Sequence, residues 1–337
     1  MIAYFLKKFA LFCALFLDCF GSKSHGNSYL WEIEGNPPSY LFGTFHVPYP
    51  LLWDAIPENT MQAFNNTQSL YLEIDFNEED KSAMKSCRQL PNNQTVSDIL
   101  PHHMYLRLLS HMEYVHAKFE ELLTSSQKNK GWTADHLFKL YFDGWETREP
   151  IWTSIHLAQI TKTIIRSIEY PVLDSYLEFL GRYYGKFVGG IETVNDRCGV
   201  FKNIKQSYLL HILDKIFALI ENRLLDSWVD DFIQQYRDGT LLRRMVIPDL
   251  HREVNNYIEQ QLQFRRNLIM SQRIKDLIQS DPNNSFFFAF GNGHFIGDNS
   301  VVDMLEQKGV NITRVPRDRV IPQSKAQEFF RYSLPPR

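Results

Sequence analysis

The sequence has no excess of charge of either sign. Its 36 Lys and Arg stand against 39 Asp and Glu, a net charge of −3 over 337 residues and a pI near 6.4. That balance, with no basic block, gives no electrostatic case for nucleic acid. Cysteine is scarce at four residues, and none lies in a Cys-x-x-Cys pair, which excludes a thiolate zinc site. There is no Gly-x-Ser-x-Gly elbow, no phosphate-cradling glycine loop and no His-Glu-x-x-His, so the common serine-hydrolase, nucleotide and zincin signatures are missing. Low-complexity tracts and Gly/Ser linkers are missing too, as expected of a single domain. Long apolar runs are also short in supply. Phe9–Leu17, behind Lys7-Lys8, has the length of a signal-peptide core and falls short of the roughly 20 residues of a membrane span. Cys19-Phe20-Gly21 then offers small residues for cleavage after Gly21, an uncleaved anchor being the alternative. Residues 1–21 are read as a signal peptide, 22–322 as one domain and 323–337 as a polar tail.

What is present is apolar and aromatic: 44% hydrophobic residues and 14% aromatic ones, enough for a substantial core. Cys13 and Cys19 leave with the leader. Cys87 and Cys198 remain as candidates for one disulfide in an oxidising compartment. Sequons begin at Asn65, Asn93, Asn283 and Asn311, candidate glycosylation sites that agree with secretion.

The densest signal is Ser285-Phe-Phe-Phe-Ala-Phe-Gly-Asn-Gly-His294. Phe favours strands, and a run this short is brief for a helix, so it reads as a strand buried on both faces. Its glycines free the backbone where His294 emerges. Tyr40-Leu-Phe-Gly-Thr-Phe-His46 repeats the device 248 residues earlier. Two Phe-Gly-x-x-His units at opposite ends suggest a duplication about a pseudo-twofold axis, with the two histidines sharing a metal. Either histidine alone is more often a packed or capping residue; the repeated context is what strengthens the pair.

Between these ends the pattern changes. Tyr29–Ile33 and the Tyr40 strand form a hairpin across Gly35-Asn36-Pro37-Pro38. Ser69–Ile74 and Phe187–Glu192 read as strands, and Val310–Val315 as a last one. Helical spacing covers Pro101–Leu123, Thr133–Trp145, Ile151–Ile168 and Val172–Tyr184, a helical insertion over about 77–186. Helices resume from about Val200 to Tyr236, and His251–Ile278 is a long one. The fold class is α/β, a mixed sheet with helices on both faces.

His46, Glu73, Glu192 and His294 all fall at or within apolar strands, and open α/β sheets build sites at strand ends. Two imidazoles with a carboxylate suit a divalent metal, which lowers the pKa of water while a second carboxylate takes the proton. Glu73 can equally face water from a strand, and Glu192 can cap the next helix. Arg266 and Asn267, in the long helix, are either a solvated face or a substrate clamp and a ligand-orienting amide. His111 and His116 lie five apart, out of step for two ligands on a helix, and His102-His103 read as solvated.

The segments "FGTFHVPY", "WDAIPENT", "YLEID", "GGIET", "RRNLIM" and "FAFGNGHFIGDNSVVDMLEQKG" resemble the TIKI metalloproteases, within the broader TraB/PrgY group. The resemblance spans nearly the whole chain after the leader. It implies a fold shared with erythromycin-esterase-like proteins. It also implies a secretory-pathway metalloprotease using Mn2+ or Co2+, with Zn2+ as a further candidate, that trims the N-terminus of Wnt proteins. His46, His294 and Glu73 carry over as the metal site; Glu192, Arg266 and Asn267 match as further site residues. TIKI relatives usually end in a hydrophobic anchor that this sequence does not show, so a secreted form is expected, with membrane association as the alternative. A silent ligand-binding protein and a metal-dependent esterase on the same fold are the competing readings.

Overall fold

The computed structural model describes residues 28–75, 78–202, 204–222, 224–241 and 249–322. The expected leader and polar tail lie outside the described residues. Six strands form a mixed sheet: β1 (Leu30–Ile33), β2 (Ser39–Thr44), β3 (Ser69–Leu72), β4 (Phe187–Gly190), β5 (Phe286–Gly291) and β6 (Ile312–Arg314). Their spatial order is β4-β3-β5-β2-β1-β6. β2, β5, β3 and β4 run parallel, whereas β1 is antiparallel to β2 and β6 antiparallel to β1.

The Phe-rich run is β5, near the middle of the sheet with a parallel neighbour on each side. Phe286 to Phe290 are all buried, as a strand covered on both faces requires. Each of the four Phe side chains is worth about 1.5–3 kcal/mol relative to exposure. β2 and β5, the two motif strands, are direct neighbours, with Gly43 opposite Phe290 and Thr44 opposite Gly291. The expected twofold does not extend past this pair. β5's other neighbour is parallel to it, whereas β2's is antiparallel.

The helical insertion has a core of its own, from Leu90 to Ile165, but not the expected bounds. The Gln206–Glu221 helix joins it through Leu209, Leu213 and Phe217. The Leu173–Tyr183 helix leaves it for the sheet, burying Leu173, Leu177 and Leu180 in the sheet's core. Gly181 makes that docking possible, since a Cβ there would meet Leu70 at 2.8 Å. Ile151–Ile168, expected as one helix, is two, Pro150–Gln159 and Lys162–Arg166. Thr161 ends the continuity by accepting a hydrogen bond from the Ile164 N–H as the second helix's N-cap. The long helix is continuous but contains a π turn, Glu259–Phe264, between Arg252–Ile258 and Arg265–Ser280. Among the described residues no helix is long and apolar enough to cross a membrane.

Cys87 and Cys198 are joined, with Cα atoms 6.1 Å apart, across 111 residues of chain. The bridge ties the Glu78–Cys87 helix to the Val194–Lys202 helix. Closing a loop of that length stabilises by about 4–5 kcal/mol in the chain-entropy model. The Cys87→Ser/Cys198→Ser variant is therefore expected to lose about 2–5 kcal/mol in urea unfolding, and a loss near zero would contradict this.

Candidate metal centre

The four parallel strands send their C-terminal ends to one edge, and a candidate residue follows each of them. His46 comes just after β2, Glu73 directly after β3, Glu192 after β4, and His294 in the 3₁₀ turn Asn292–His294 after β5. Glu73 stands at the middle. Its Oε1 lies 3.5 Å from His46 Nε2 and 3.4 Å from His294 Nε2, and accepts the Gly291 N–H at 3.2 Å. Its Oε2 accepts from Arg197 Nη1 at 2.5 Å and from Arg266 Nη2 at 3.4 Å.

Each histidine is oriented from behind. His46 Nδ1 lies 2.8 Å from Asp174 Oδ2, and Thr44 Oγ1 donates to Asp174 Oδ1 at 2.6 Å. His294 Nδ1 lies 2.5 Å from Asn267 Oδ1, whose amide orientation is set because Nδ2 donates to Asn299 O at 2.8 Å. Both partners are acceptors, so both Nδ1 atoms carry hydrogen and both Nε2 atoms turn toward Glu73. Metal-ligating histidines are usually held this way.

The glycines of the two motifs serve close approach and not unusual dihedrals. None of Gly43, Gly291 and Gly293 has a positive φ. A Cβ on Gly43 would stand 2.4 Å from Asn292 Oδ1. One on Gly291 would stand 3.1 Å from His46 Nε2 and 3.2 Å from Glu73 Oε1. Each motif's glycine thus admits a polar side chain of the other motif.

Glu192 and Arg266 take a different part from the one their positions suggest. Arg266 grips Glu192 with a two-pronged fork, Nε to Oε1 at 2.7 Å and Nη2 to Oε2 at 2.6 Å. The Glu192 side chain is fully buried and Arg266 is 11% exposed. Both carboxylate oxygens are occupied, which leaves Glu192 poorly placed to take a proton from water. Nor does it cap the following helix: Thr193 does, in a reciprocal pair with Asp196. Arg266 holds carboxylates of the protein and not a substrate's. Asn267 does orient a candidate ligand. His111 faces Glu221 and His116 faces Asp135, and both lie in the helical insertion, outside this cluster.

Asp174 and Arg197 are the residues that sequence reasoning missed. Asp174 reads as an ordinary first-turn acid of its helix. Arg197 had one faint signal, its place beside Cys198. A cavity of about 330 Å³ between Ile33, Lys275, Ile278 and Val310 lies at the opposite end of the sheet and gathers none of these side chains.

The electrostatics follow from burial and partners. Glu73 is desolvated, but the Arg197 cation and both imidazoles outweigh that and hold its carboxyl well below the usual range. Burial, helped by the Arg266 charge, pushes His294 down. His46, whose side chain is 43% exposed, is desolvated on its inner edge, yet Asp174 and Glu73 raise it to about 10. The metal-free chain therefore carries an imidazolium at His46, whose Nε2 hydrogen faces Glu73. A folded pKa above the unfolded value stabilises fully at acidic pH and stops doing so as pH rises. The stability advantage of metal-free wild type over His46→Gln is thus expected to be constant below about pH 6.5 and to shrink toward pH 10. A margin that grows with pH in urea titrations would contradict the assignment.

The residues fit a divalent ion by their donor chemistry. Once His46 gives up its Nε2 proton, two imidazole nitrogens and one ionised oxygen face one another and can share a cation. Two tetrahedral ligands at 2.0–2.1 Å from one ion stand about 3.4 Å apart, close to both Glu73–histidine separations. The set is not fully assembled. Among the described residues no three His, Cys, Asp or Glu side chains already surround a metal-sized point.

A mixed sheet that gathers two Gly-x-x-His units and a glutamate at its strand ends defines a class. The sequence profile of the TraB/PrgY/gumN family matches residues 29–314. The chain is 35% identical to Metalloprotease TIKI1 of Xenopus tropicalis over 89% of its own length and 64% of that protein's. It is 32% identical to human Metalloprotease TIKI1, covering 91% and 65% of the two chains. The Metalloprotease TIKI homolog of Nematostella vectensis is 30% identical over 90% and 70%. This chain belongs to the TraB/PrgY/gumN family and, within it, to the TIKI metalloproteases. It spans just under two thirds of the length of the vertebrate relatives. No solved structure matches it.

Proposed function

We propose that this chain is a metal-dependent peptidase of the secretory pathway, with the N-terminal region of Wnt proteins as its substrate. The observation that carries the enzymatic reading is Glu73 Oε1 within 3.5 Å of the Nε2 atoms of both motif histidines. His46, His294 and Glu73 would hold the ion. Mn2+ or Co2+ is proposed, and Zn2+ suits the same nitrogen and oxygen donors. Once bound, the ion supplies Lewis acidity toward a peptide carbonyl and acidifies water.

The chain's own residues do the rest. Asp174 and Asn267 keep Nδ1 protonated on each ring, so that Nε2 stays turned to the centre. Arg197 and Arg266 keep Glu73 ionised, and Glu192 pins Arg266 in place. His46 is the exposed member of the cluster, so substrate reaches the centre from its side.

The Cys87–Cys198 bridge supports an oxidising compartment. Asn93 and Asn283 are exposed and are the favoured glycan acceptors. Asn65 is half-buried in a helix, and the exposed Asn311 donates to Glu34. The Wnt assignment rests on the family resemblance.

The test measures metal stoichiometry of the purified chain and cleavage of a Wnt N-terminal peptide, for wild type and Glu73→Gln. The expected result is one ion per chain and cleavage in wild type, with both lost in the variant. A wild-type chain that binds no divalent metal overturns the reading. Metal binding with Wnt left intact overturns the substrate.

A further inference from the structure

Arg88 is a half-buried cation with a stranded donor. Its guanidinium lies over the Trp152 ring, 4.8 Å from the centroid, and its Nε is buried with no hydrogen-bond partner. Among the described residues no carboxylate forms an ion pair with it. Burial first, and then the nearby Arg197 and Arg148 charges, together lower its pKa to about 10. A partly desolvated cation without an anion is costly, and more so when its charged neighbours are also cations.

Those neighbours are fixed by covalent and backbone geometry. Arg88 follows Cys87 and Arg197 precedes Cys198, and the bridge holds the two Cα atoms of the cysteines 6.1 Å apart. The Glu149 N–H donates to Arg88 O, which brings Arg148 alongside. Arg148 spends its donors on the carbonyls of Tyr141 and Asp143. Arg197 spends one N–H on Glu73, and its side chain is 30% exposed. A guanidinium has five donors, so Arg197 keeps capacity that Arg266, committed to Glu192, Glu73 and Leu262 O, does not.

We propose that Arg88 and Arg197, on either side of the Cys87–Cys198 bridge, form a carboxylate-binding subsite beside Glu73. It takes an acidic side chain of the peptide substrate near the scissile bond. The placement follows from Arg197 itself, which touches Glu73 with one donor and faces solvent with others. Adjacent peptide residues are about 3.8 Å apart, so the acidic residue lies within a few positions of the cleaved bond. Planar guanidinium forks match carboxylates in geometry as well as charge. This assignment rests on the peptidase reading for the identity of its ligand but not for the existence of the subsite.

The test separates the two. Binding of N-acetyl-aspartate amide and of its uncharged isostere, N-acetyl-asparagine amide, is measured by calorimetry on the full metal-loaded chain. The aspartate probe is expected to bind saturably, the asparagine probe at least about tenfold more weakly, and Arg88→Gln to weaken the aspartate probe by at least about tenfold. Equal binding of the two probes, or wild-type affinity in Arg88→Gln, overturns the subsite. If Arg88→Gln does not fold, Arg88→Lys keeps the charge without the planar fork and is expected to weaken the probe at least about threefold. Wild-type affinity in that variant also overturns it. Sulfate that binds in an Arg88-dependent way while the aspartate probe does not bind overturns the substrate source and leaves a free-anion site. A chain that binds the probe but cleaves no peptide defeats the peptidase reading and not the subsite.

Discussion

His294→Ala is expected to remove the bound metal and to lower peptide cleavage by at least about a thousandfold. The ring is one of two imidazoles turned onto Glu73, and its Nδ1 is spent on Asn267. Nothing beside it can substitute: Asn267 faces its Nδ1, and the neighbouring Phe290 is apolar. The variant also bears a stability cost. His294 is buried, and its loss strands the Asn267 oxygen, which costs about 1–3 kcal/mol. His46→Ala is the companion variant at the more exposed ring. Asn267→Ala should fall between, weakening metal affinity about 10–100-fold with the ligands intact. Metal calorimetry beside circular dichroism decides the matter. A folded His294→Ala chain that keeps stoichiometric metal would show that the ion lies elsewhere.

Much of that centre could be read from the sequence because strands announce their ends. An apolar run stopped by glycine places the next polar residue at a sheet edge, which located His46 and His294, while Glu73 and Glu192 stood out as carboxylates within or at the exit of apolar strands. The same reasoning cannot see which side chain a residue will meet. Asp174 follows Leu173 at a helix start, where acids are common, and its contact with His46 crosses 128 residues. Arg197 is one of many helical arginines until the fold sets it against Glu73. The glycines were legible as necessary but for the wrong reason. Their dihedrals are ordinary, and only the packed structure shows what a Cβ would strike. The helical insertion was visible by its period, yet its edges were not. Leu173–Tyr183 and Gln206–Glu221 are both amphipathic, and neither sequence states which core its apolar face will join.

Glu192→Ala is expected to cost about 3–5 kcal/mol of folding stability, which is large for a residue read as a catalytic base. The reason is what it leaves behind. Arg266 is 11% exposed, and its high pKa is sustained, against desolvation, chiefly by the two-pronged contact with Glu192 and by the Glu73 charge. Without Glu192 that cation keeps a 3.4 Å contact to Glu73 Oε2 and a 3.5 Å contact to Leu262 O. It would then close on Glu73 and withdraw the carboxylate from the histidines, so metal affinity should fall together with stability. Glu192→Gln sharpens the contrast, because its amide keeps the volume but turns an NH2 toward a guanidinium. A catalytic base predicts a folded, metal-loaded Gln variant that is slow only in turnover. A brace predicts weaker metal binding and lower unfolding free energy, partly recovered when Arg266→Met is added, since that removes the buried cation left unpaired. Urea unfolding and metal calorimetry on the single and double variants decide between them, and a stable, metal-replete Glu192→Gln chain with slow turnover would restore Glu192 to the chemistry.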